Sequence, residues 1–480
     1  MFRSDIIRQP LPEILCRIGD IADRNGIECY LVGGYVRDTI LGRPCKDIDV
    51  MVVGDPVPFS KSVLNELSGK NFVLFERFRT AQLEIPDPVL GMLKIELVGA
   101  RKESYNPDSR KPITLIGTLE DDLSRRDFTI NALAIVLNAE GRNGLVDLYH
   151  GREDIDAGVL RTPLDPLRTF SDDPLRMMRA ARFASQLGFD LLPVVKEAMK
   201  IMHERIRIVS MERTSHEFLK IMASPKPSRG LVILHETGLL SEIMPELSAM
   251  AGVQQVDGLR HKDTLYHTFQ VVDNVAQHSD NIWLRIAALL HDIGKPATKR
   301  FNRSAGWTFH GHDAVGTRIA AKIFTNMRWP LDQLDYVRKL IRLHHRPIPL
   351  SKDEITDSAV RRLMFDAGED LQDLMSLCRA DVTSKNPSKV ARIMNNFNHV
   401  EEKIAEVGEK DLLARWRPPI SGQDIMDALG LPEGKLVGMI KKRMENAVID
   451  GDIPYDRDAA LRFISEVYRE LSGDGQVPEK

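Results

Sequence analysis

Strand-like runs end at Leu137, and from about residue 170 the apolar pattern is almost wholly helical. This switch of period from two to 3.6 residues divides the chain into an α/β head and a long helical remainder. In the head, Tyr30-Leu31-Val32, Ile48 to Val53, Lys94 to Val98 and Ala132 to Leu137 read as strands. The connection 99–121 is polar, contains Pro107 and Pro112, and reads as a mobile loop, longer than a compact domain usually holds without a function. Pro225 and Pro227 interrupt the helical pattern, a second helical block runs from about 260 to 400, and the segment 415–424 marks a further break. The expected parts are a head over 1–155, a helical neck over 156–255, a helical body over 256–400 and a helical tail over 401–480. With 480 residues, 43% of them hydrophobic, several cores are expected.

Charge narrows the partners. The formal net charge is −3, so the whole molecule does not attract polyanions, and nucleic-acid binding would need a local basic patch. Cys16, Cys29, Cys45 and Cys378 lack CxxC spacing, which argues against a disulfide framework or a cysteine zinc site and for a reducing compartment. No stretch resembles a signal peptide and no apolar run is long enough to span a bilayer. A soluble cytoplasmic protein without membrane association is the expectation.

Three segments of the head carry chemistry. In LVGGYVRD, Gly33-Gly34 ends a strand just before a helix, so backbone N–H groups can approach a phosphate, and Arg37 can add a bidentate contact. A plain turn has the same sequence. Lys46-Asp47-Ile48-Asp49 opens the next strand. Residues i and i+2 of a strand face one way, so Asp47 and Asp49 point together and repel unless a cation lies between them. Mg²⁺ prefers one or two carboxylates plus substrate phosphates. Glu96, on a later strand, is either a third carboxylate or an ordinary exposed glutamate. In RRDFTINA, Arg125 and Arg126 suit a triphosphate, while Asp127 and Asn131 suit ribose hydroxyls; a basic helix start with an ion pair is the plainer alternative.

Together, GGYVRD, the Asp47/Asp49 pair and RRDFTINA resemble the class II nucleotidyltransferases, the family of tRNA CCA-adding enzymes and bacterial poly(A) polymerases, whose head is related to DNA polymerase beta. The resemblance implies Mg²⁺ on Asp47 and Asp49, the triphosphate at Gly34 and Arg37, phosphate and sugar at Arg126 and Asp127, and support from Asn131. It implies tRNA, CTP and ATP as partners and gives no oligomeric state.

In the neck, Asp173, Arg176, Arg179 and Arg182 recur at a spacing of three along one helical run that Gly188 can end. A carboxylate beside a guanidinium offers an acceptor and several donors, enough to read a base edge; an intrahelical salt bridge with a solvated basic stripe is the alternative. In the family this place carries EDxxR, whose Asp and Arg pair with incoming CTP or ATP. Here Asp172 replaces the Glu, and Asp173 and Arg176 are kept, with Arg179 and Arg182 near the nucleotide. Glu212-Arg213 and Glu217 with Lys220 match the family's next helical motif, read as bracing.

The body holds His267, His291-Asp292, His312, His344 and Asp381 in order. His and Asp donors on helices suit an N/O-ligated divalent metal: Mn, Ni, Fe or Mg. The order resembles the HD superfamily of metal-dependent phosphohydrolases; His345 can take the place of His344, and His310 is a bystander. An RNA-binding body with a vestigial site would carry the same residues. In the tail, Lys441-Lys442-Arg443 forms a basic cluster in a segment resembling the tRNA-contacting end of long class II enzymes.

Overall fold

The strand-forming residues of the first 150 build one seven-stranded sheet. In chain order the strands are β1 (Cys29–Val32), β2 (Asp47–Val52), β3 (Lys70–Phe75), β4 (Thr80–Asp87), β5 (Gly91–Gly99), β6 (Arg101–Ser104), β7 (Ile113–Ile116), β8 (Leu133–Val136) and β9 (Leu145–Asp147). The sheet order is β3-β4-β5-β2-β1-β8-β9, with β6 and β7 apart as a two-stranded ribbon. All neighbours are antiparallel except β2 and β5. A parallel pair needs a crossover, supplied here by the helix Pro56–Glu66 and the β3–β4 hairpin. Asp55 starts that helix by accepting from the Val57 N–H at 3.0 Å. The computed structural model describes residues 11–45, 47–75, 79–88, 91–104, 113–252, 255–256, 259–260, 263–304, 306–347, 356–384, 386–411 and 418–473.

β1 and β8 are apolar throughout because both faces are covered: all four residues of each are buried. Tyr30, Val32, Met51, Ala134 and Val136 share one core with Leu123. The four strands read from the sequence are present, β5 extending further than its apolar centre. β3, β4 and β9 were not anticipated. The segment 99–121 also departs from its reading as a loop: its ends pair as β6 and β7, Arg101 opposite Ile116 through Ser104 opposite Ile113, and Leu119–Ser124 is helical. The charged run Arg101-Lys102-Glu103 conceals this strand, since the ribbon leaves Lys102, Leu115 and Ile116 partly or largely exposed and no alternation is required. The centre of the segment and Lys46 lie outside the described residues.

Two compact units divide between Ser248 and Ala249. In the first, the helix Leu175–Leu187 packs on the helices Met211–Met222 and Pro227–Glu236. Gly230 makes the close approach: its N–H donates to Ser185 Oγ at 2.7 Å, and a Cβ there would lie 2.5 Å from that oxygen. Gly188, at φ 77°, ends the helix as its sequence suggests.

Among the described residues, the second unit is helical apart from two short strand pairs. Thr264–Ala276, Ile282–Leu290, His312–Asn326, Leu334–Leu343 and Leu371–Ala380 pack together. The helix Pro387–Asp411 runs through the expected boundary at 400. Beyond it, Gly422–Leu429, Lys435–Asp450 and Arg457–Gly473 share a core of Ile425, Ile440, Met444 and Ile464. Of the basic cluster, Arg443 pairs with Glu470 at 2.9 Å while Lys442 is exposed. Among the described residues, no helix is long and apolar enough to cross a membrane.

Candidate active site and metal centre

The alternation of β2 places Asp47 and Asp49 on one face at the start of the strand, Asp47 exposed and Asp49 partly buried. Asp49 stands opposite Glu96 on β5 and opposite Val32 on β1, where the Gly33-Gly34 turn begins. Burial, then the charges of Glu96, Asp47 and Asp122, push the Asp49 carboxyl up to about 6 against the pull of Arg126. Like charges crowded on a half-buried oxygen ligand set fit a hard divalent cation such as Mg²⁺. The three carboxylates are strand neighbours rather than a closed cluster, so such an ion would complete its shell from substrate oxygens.

Gly33 has φ 72°, and a Cβ there would meet Arg126 Nη1 at 2.9 Å and Asp49 Oδ2 at 3.4 Å. The turn, the carboxylate and the arginine therefore converge on one point. Asp122, fully buried and missed by sequence reading, orients both arginines: Arg125 reaches its Oδ1 at 2.5 Å and Arg126 its Oδ2 at 2.8 Å. Burial raises the Asp122 carboxyl, but Arg126 and Arg125 outweigh it and hold it below the usual range.

Arg37 is already occupied. Its Nε and Nη2 donate to the two oxygens of Asp38 and its Nη1 to Asn131 Oδ1 at 2.8 Å. A bidentate phosphate contact would first have to release Asp38. Asn131 passes the connection on, donating to Asp127 Oδ1 at 2.9 Å, and Arg179 donates to Asp127 Oδ2 at 2.6 Å. Burial pushes Asp127 up, yet Arg179 and Asn131 bring its carboxyl down to about 2. A continuous chain of polar groups thus runs from the glycine turn to the neck helix.

Asp173 lies in extended backbone just before that helix, which starts at Leu175, so it does not share the helical run with Arg176, Arg179 and Arg182 as expected; its Oδ1 accepts from the Leu175 N–H at 3.1 Å, and Oδ2 lies 3.3 Å from Arg213. Arg176 is buried, donating to the carbonyls of Arg125 at 2.6 Å and Thr169 at 3.4 Å. The Arg176 N–H donates to the Asp173 carbonyl at 3.0 Å, but the two side chains are each tied to protein groups other than one another. Arg182 is paired with buried Glu217 at 2.6 Å, and Lys220 lies 3.4 Å from the same carboxylate. Arg37, Arg179 and Arg182 also surround the Phe183 ring, at 5.1, 5.4 and 4.1 Å from its centroid. Phe183 belongs to none of the motifs read from the sequence.

In the second unit the residues expected to bind metal form two ligand groups: His267, His291 and Asp381, and Asp292, His312, His344 and His345. Asp292 faces both, with Oδ2 at 3.2 Å from His291 Nε2 and Oδ1 at 3.7 and 3.9 Å from the Nε2 atoms of His312 and His344. His344 and His345 both fall in the group with Asp292 and His312; His310 is exposed and outside both groups. The orientation has a local cause. His291, His312 and His344 each contact the carbonyl three residues back through Nδ1, at 2.8, 2.8 and 2.6 Å, and His267 Nδ1 meets Thr383 at 2.9 Å. A ring held at Nδ1 turns Nε2 toward the neighbouring ligand atoms. His291 Nε2, His344 Nε2 and Asp292 Oδ1 are buried without a hydrogen-bond partner, a costly state that a divalent cation would relieve. Lys295 Nζ lies 2.5 Å from Asp292 Oδ2.

Comparison with known proteins agrees with this division. A family model for the poly A polymerase head domain matches residues 29–161, one for a probable RNA and SrmB-binding site of polymerase A matches 188–250, and one for the HD domain matches 264–386. The A-adding tRNA nucleotidyltransferase of Deinococcus radiodurans is 31% identical over 92% of this chain and 96% of its own. The CC-adding tRNA nucleotidyltransferase of Thermus thermophilus is 30% identical over 90% and 92%. The multifunctional CCA protein of Vibrio campbellii is 32% identical over 74% and 85%. Among solved structures, the Bacillus stearothermophilus CCA-adding enzyme in complex with CTP superposes with a TM-score of 0.65 at 20% identity, covering 96% of this chain and 98% of that one.

Proposed function

The chain belongs to the class II tRNA nucleotidyltransferase family, and on that premise we propose that it completes the CCA end of tRNA from CTP and ATP, without a nucleic-acid template. The observation that carries this reading is the convergence of Asp49, Arg126 and the Gly33-Gly34 turn on one point. Asp47 and Asp49 would hold Mg²⁺, which when bound lowers the charge on the reacting phosphate and favours the attacking oxygen. Glu96 raises the charge density at that position. The backbone at Gly33-Gly34, together with Arg125, Arg126 and a rearranged Arg37, receives the triphosphate; Asp127 and Asn131 hold the sugar side. Asp173 and Arg176 read the base once the nucleotide displaces their present partners, with Arg179 and Arg182 alongside. The RNA 3′-OH forms a bond to the α-phosphate and pyrophosphate leaves, so most of the catalysis is positioning and charge stabilisation. In this reading the head ends near 155, the neck near 255 and the HD body near 400, followed by a tail that contacts tRNA through Lys441, Lys442 and Arg443.

A second reading, A-only or CC-only addition, is favoured by the names of two relatives that each span at least nine-tenths of the chain. Extension of tRNA transcripts ending at the discriminator base, at CC and at CCA, with CTP, ATP or both, separates them. Completion to CCA that then stops supports the proposal. Addition of A alone to the CC end, of CC alone, or of unlimited A would replace it.

In the second unit we infer divalent-metal phosphoester hydrolysis. The support is the set of buried, unpartnered donor atoms on His291, Asp292 and His344, with His267, His312 and Asp381 completing the ligands. Turnover of a 2′,3′-cyclic nucleotide or a phosphomonoester with Mn²⁺, Ni²⁺ or Mg²⁺, lost in His291→Ala, tests it; turnover that survives His291→Ala would remove it.

A further inference from the structure

We propose that Phe183 is a positioning residue for nucleotide transfer, its ring holding the guanidinium groups of Arg37, Arg179 and Arg182 in the array that receives the incoming nucleotide. This rests on the nucleotidyl-transfer reading and names a residue that makes no polar contact in it.

Phe183 is 3% exposed and meets Phe128 edge-on at 5.8 Å. Three cations lie within about 6 Å of its centroid, the range over which a ring's negative face attracts a guanidinium. Such a concentration of positive charge is self-repelling. Each arginine has its own carboxylate to offset this: Asp38 for Arg37, Asp127 for Arg179 and Glu217 for Arg182. A nucleotide that engages these arginines competes with those carboxylates for the same N–H groups. The ring has no oxygen acceptor, so its attraction for the cations does not use up their N–H groups in the way a carboxylate does. Phe183 can therefore keep all three groups in place while their hydrogen bonds are exchanged from protein to nucleotide. Arg37 lies on the helix Gly34–Ile40 that follows the glycine turn, and Arg179 and Arg182 on the neck helix, so a single ring ties the phosphate end of the site to its base end.

A purely structural Phe183 would depend on volume alone, whereas a positioning ring depends on its charge distribution. The test uses the full-length enzyme with phenylalanine 183 replaced by mono-, di- and trifluorinated phenylalanine, which nearly keep the shape and progressively withdraw the negative face. CTP kinetics are measured on a tRNA primer, with Phe183→Leu as the end of the series. The KM for CTP is expected to rise stepwise, by about tenfold overall, the loss of one to two cation–π contacts. The kcat should change by less than about twofold, since the contacts are shared by ground and transition states. A KM that stays flat across the fluorinated series would overturn the proposal, even if Phe183→Leu fails to fold. Failure of the unsubstituted enzyme to extend any primer would instead remove the function on which the proposal stands.

Discussion

Glu96 stands directly opposite Asp49 across the parallel β2–β5 pair, so two carboxylates share one position in the sheet. With burial and Asp47, this lifts the Asp49 carboxyl from its ordinary 3.8 to about 6. The sign follows from the direction. In the cation-free protein the folded state holds a proton that the unfolded chain has lost, so this group's favourable contribution is present below about 4 and lost as pH rises through about 6. Added Mg²⁺ should therefore raise the melting temperature more at about pH 7.5 than at about pH 5. Equal shifts at both, by calorimetry, would sink the assignment.

Replacing Asp49 by Asn removes the repulsion together with the ligand. The metal-free Asp49→Asn protein should be more stable than the parent by about 1–3 kcal/mol, while CTP and ATP addition is lost. Glu96→Gln should act in the same direction on stability and slow addition by about tenfold or more. Chemical denaturation paired with the extension assay reads both; retained turnover in Asp49→Asn contradicts the mechanism.

Arg176 and Asp173 begin from different protein partners, the Arg125 carbonyl and Arg213. If they read the base, Arg176→Ala should lower discrimination between CTP and ATP on a CC-ended primer by about tenfold or more. Arg213→Ala should disturb discrimination less, because it frees Asp173 without removing a reading group. Competition assays with both nucleotides measure the ratio, and unchanged selectivity in Arg176→Ala refutes the role.

The Arg182–Glu217 pair is almost fully buried, with side-chain exposures of 11% and 5%. Removing one partner leaves a buried charge uncompensated. Glu217→Gln should cost about 3 kcal/mol in urea unfolding, and Arg182→Met with Glu217→Leu should recover much of it. A neutral single substitution would show that solvent reaches the pair.

Asp292 belongs to one ligand group of the second unit, with His312, His344 and His345, and its Oδ2 lies 3.2 Å from His291 Nε2 of the other. Asp292→Asn should deplete bound divalent metal from both, whereas His345→Ala should deplete only the group containing His312. Elemental analysis of the purified proteins decides this, and full metal content in Asp292→Asn would exclude it as a ligand. Primer extension should stay within about twofold in both variants if nucleotide addition belongs to the head alone.

How far the sequence reached can be seen residue by residue. Local order is enough for features that depend on neighbours along the chain. The i, i+2 spacing put Asp47 and Asp49 on one face of a strand, Gly188 ended the neck helix, and the ordered histidines and aspartates of the body came together. The head–helix–HD division was legible because backbone period and apolar pattern are set by nearby residues. Pairing across distance was not. The pairs of Asp122 with Arg125 and Arg126 have the i,i+3 and i,i+4 spacing of helix neighbours, but nothing near them in the chain indicates that Arg126 lies against Gly33, and nothing near Phe183 indicates that Arg37, some 146 positions earlier, lies over its ring. The strands β6 and β7 were hidden for a related reason: an exposed ribbon is held by cross-strand hydrogen bonds and imposes little pattern on its side chains. The sequence alone determined which residues carry charge, where strands and helices could form, and to which family the motifs point. Only the tertiary structure decided which charges meet, because burial and like-charge repulsion act through space, and they left Asp49 crowded by Glu96, Arg37 held by Asp38 and Asn131, and Asp292 facing two sets of histidines.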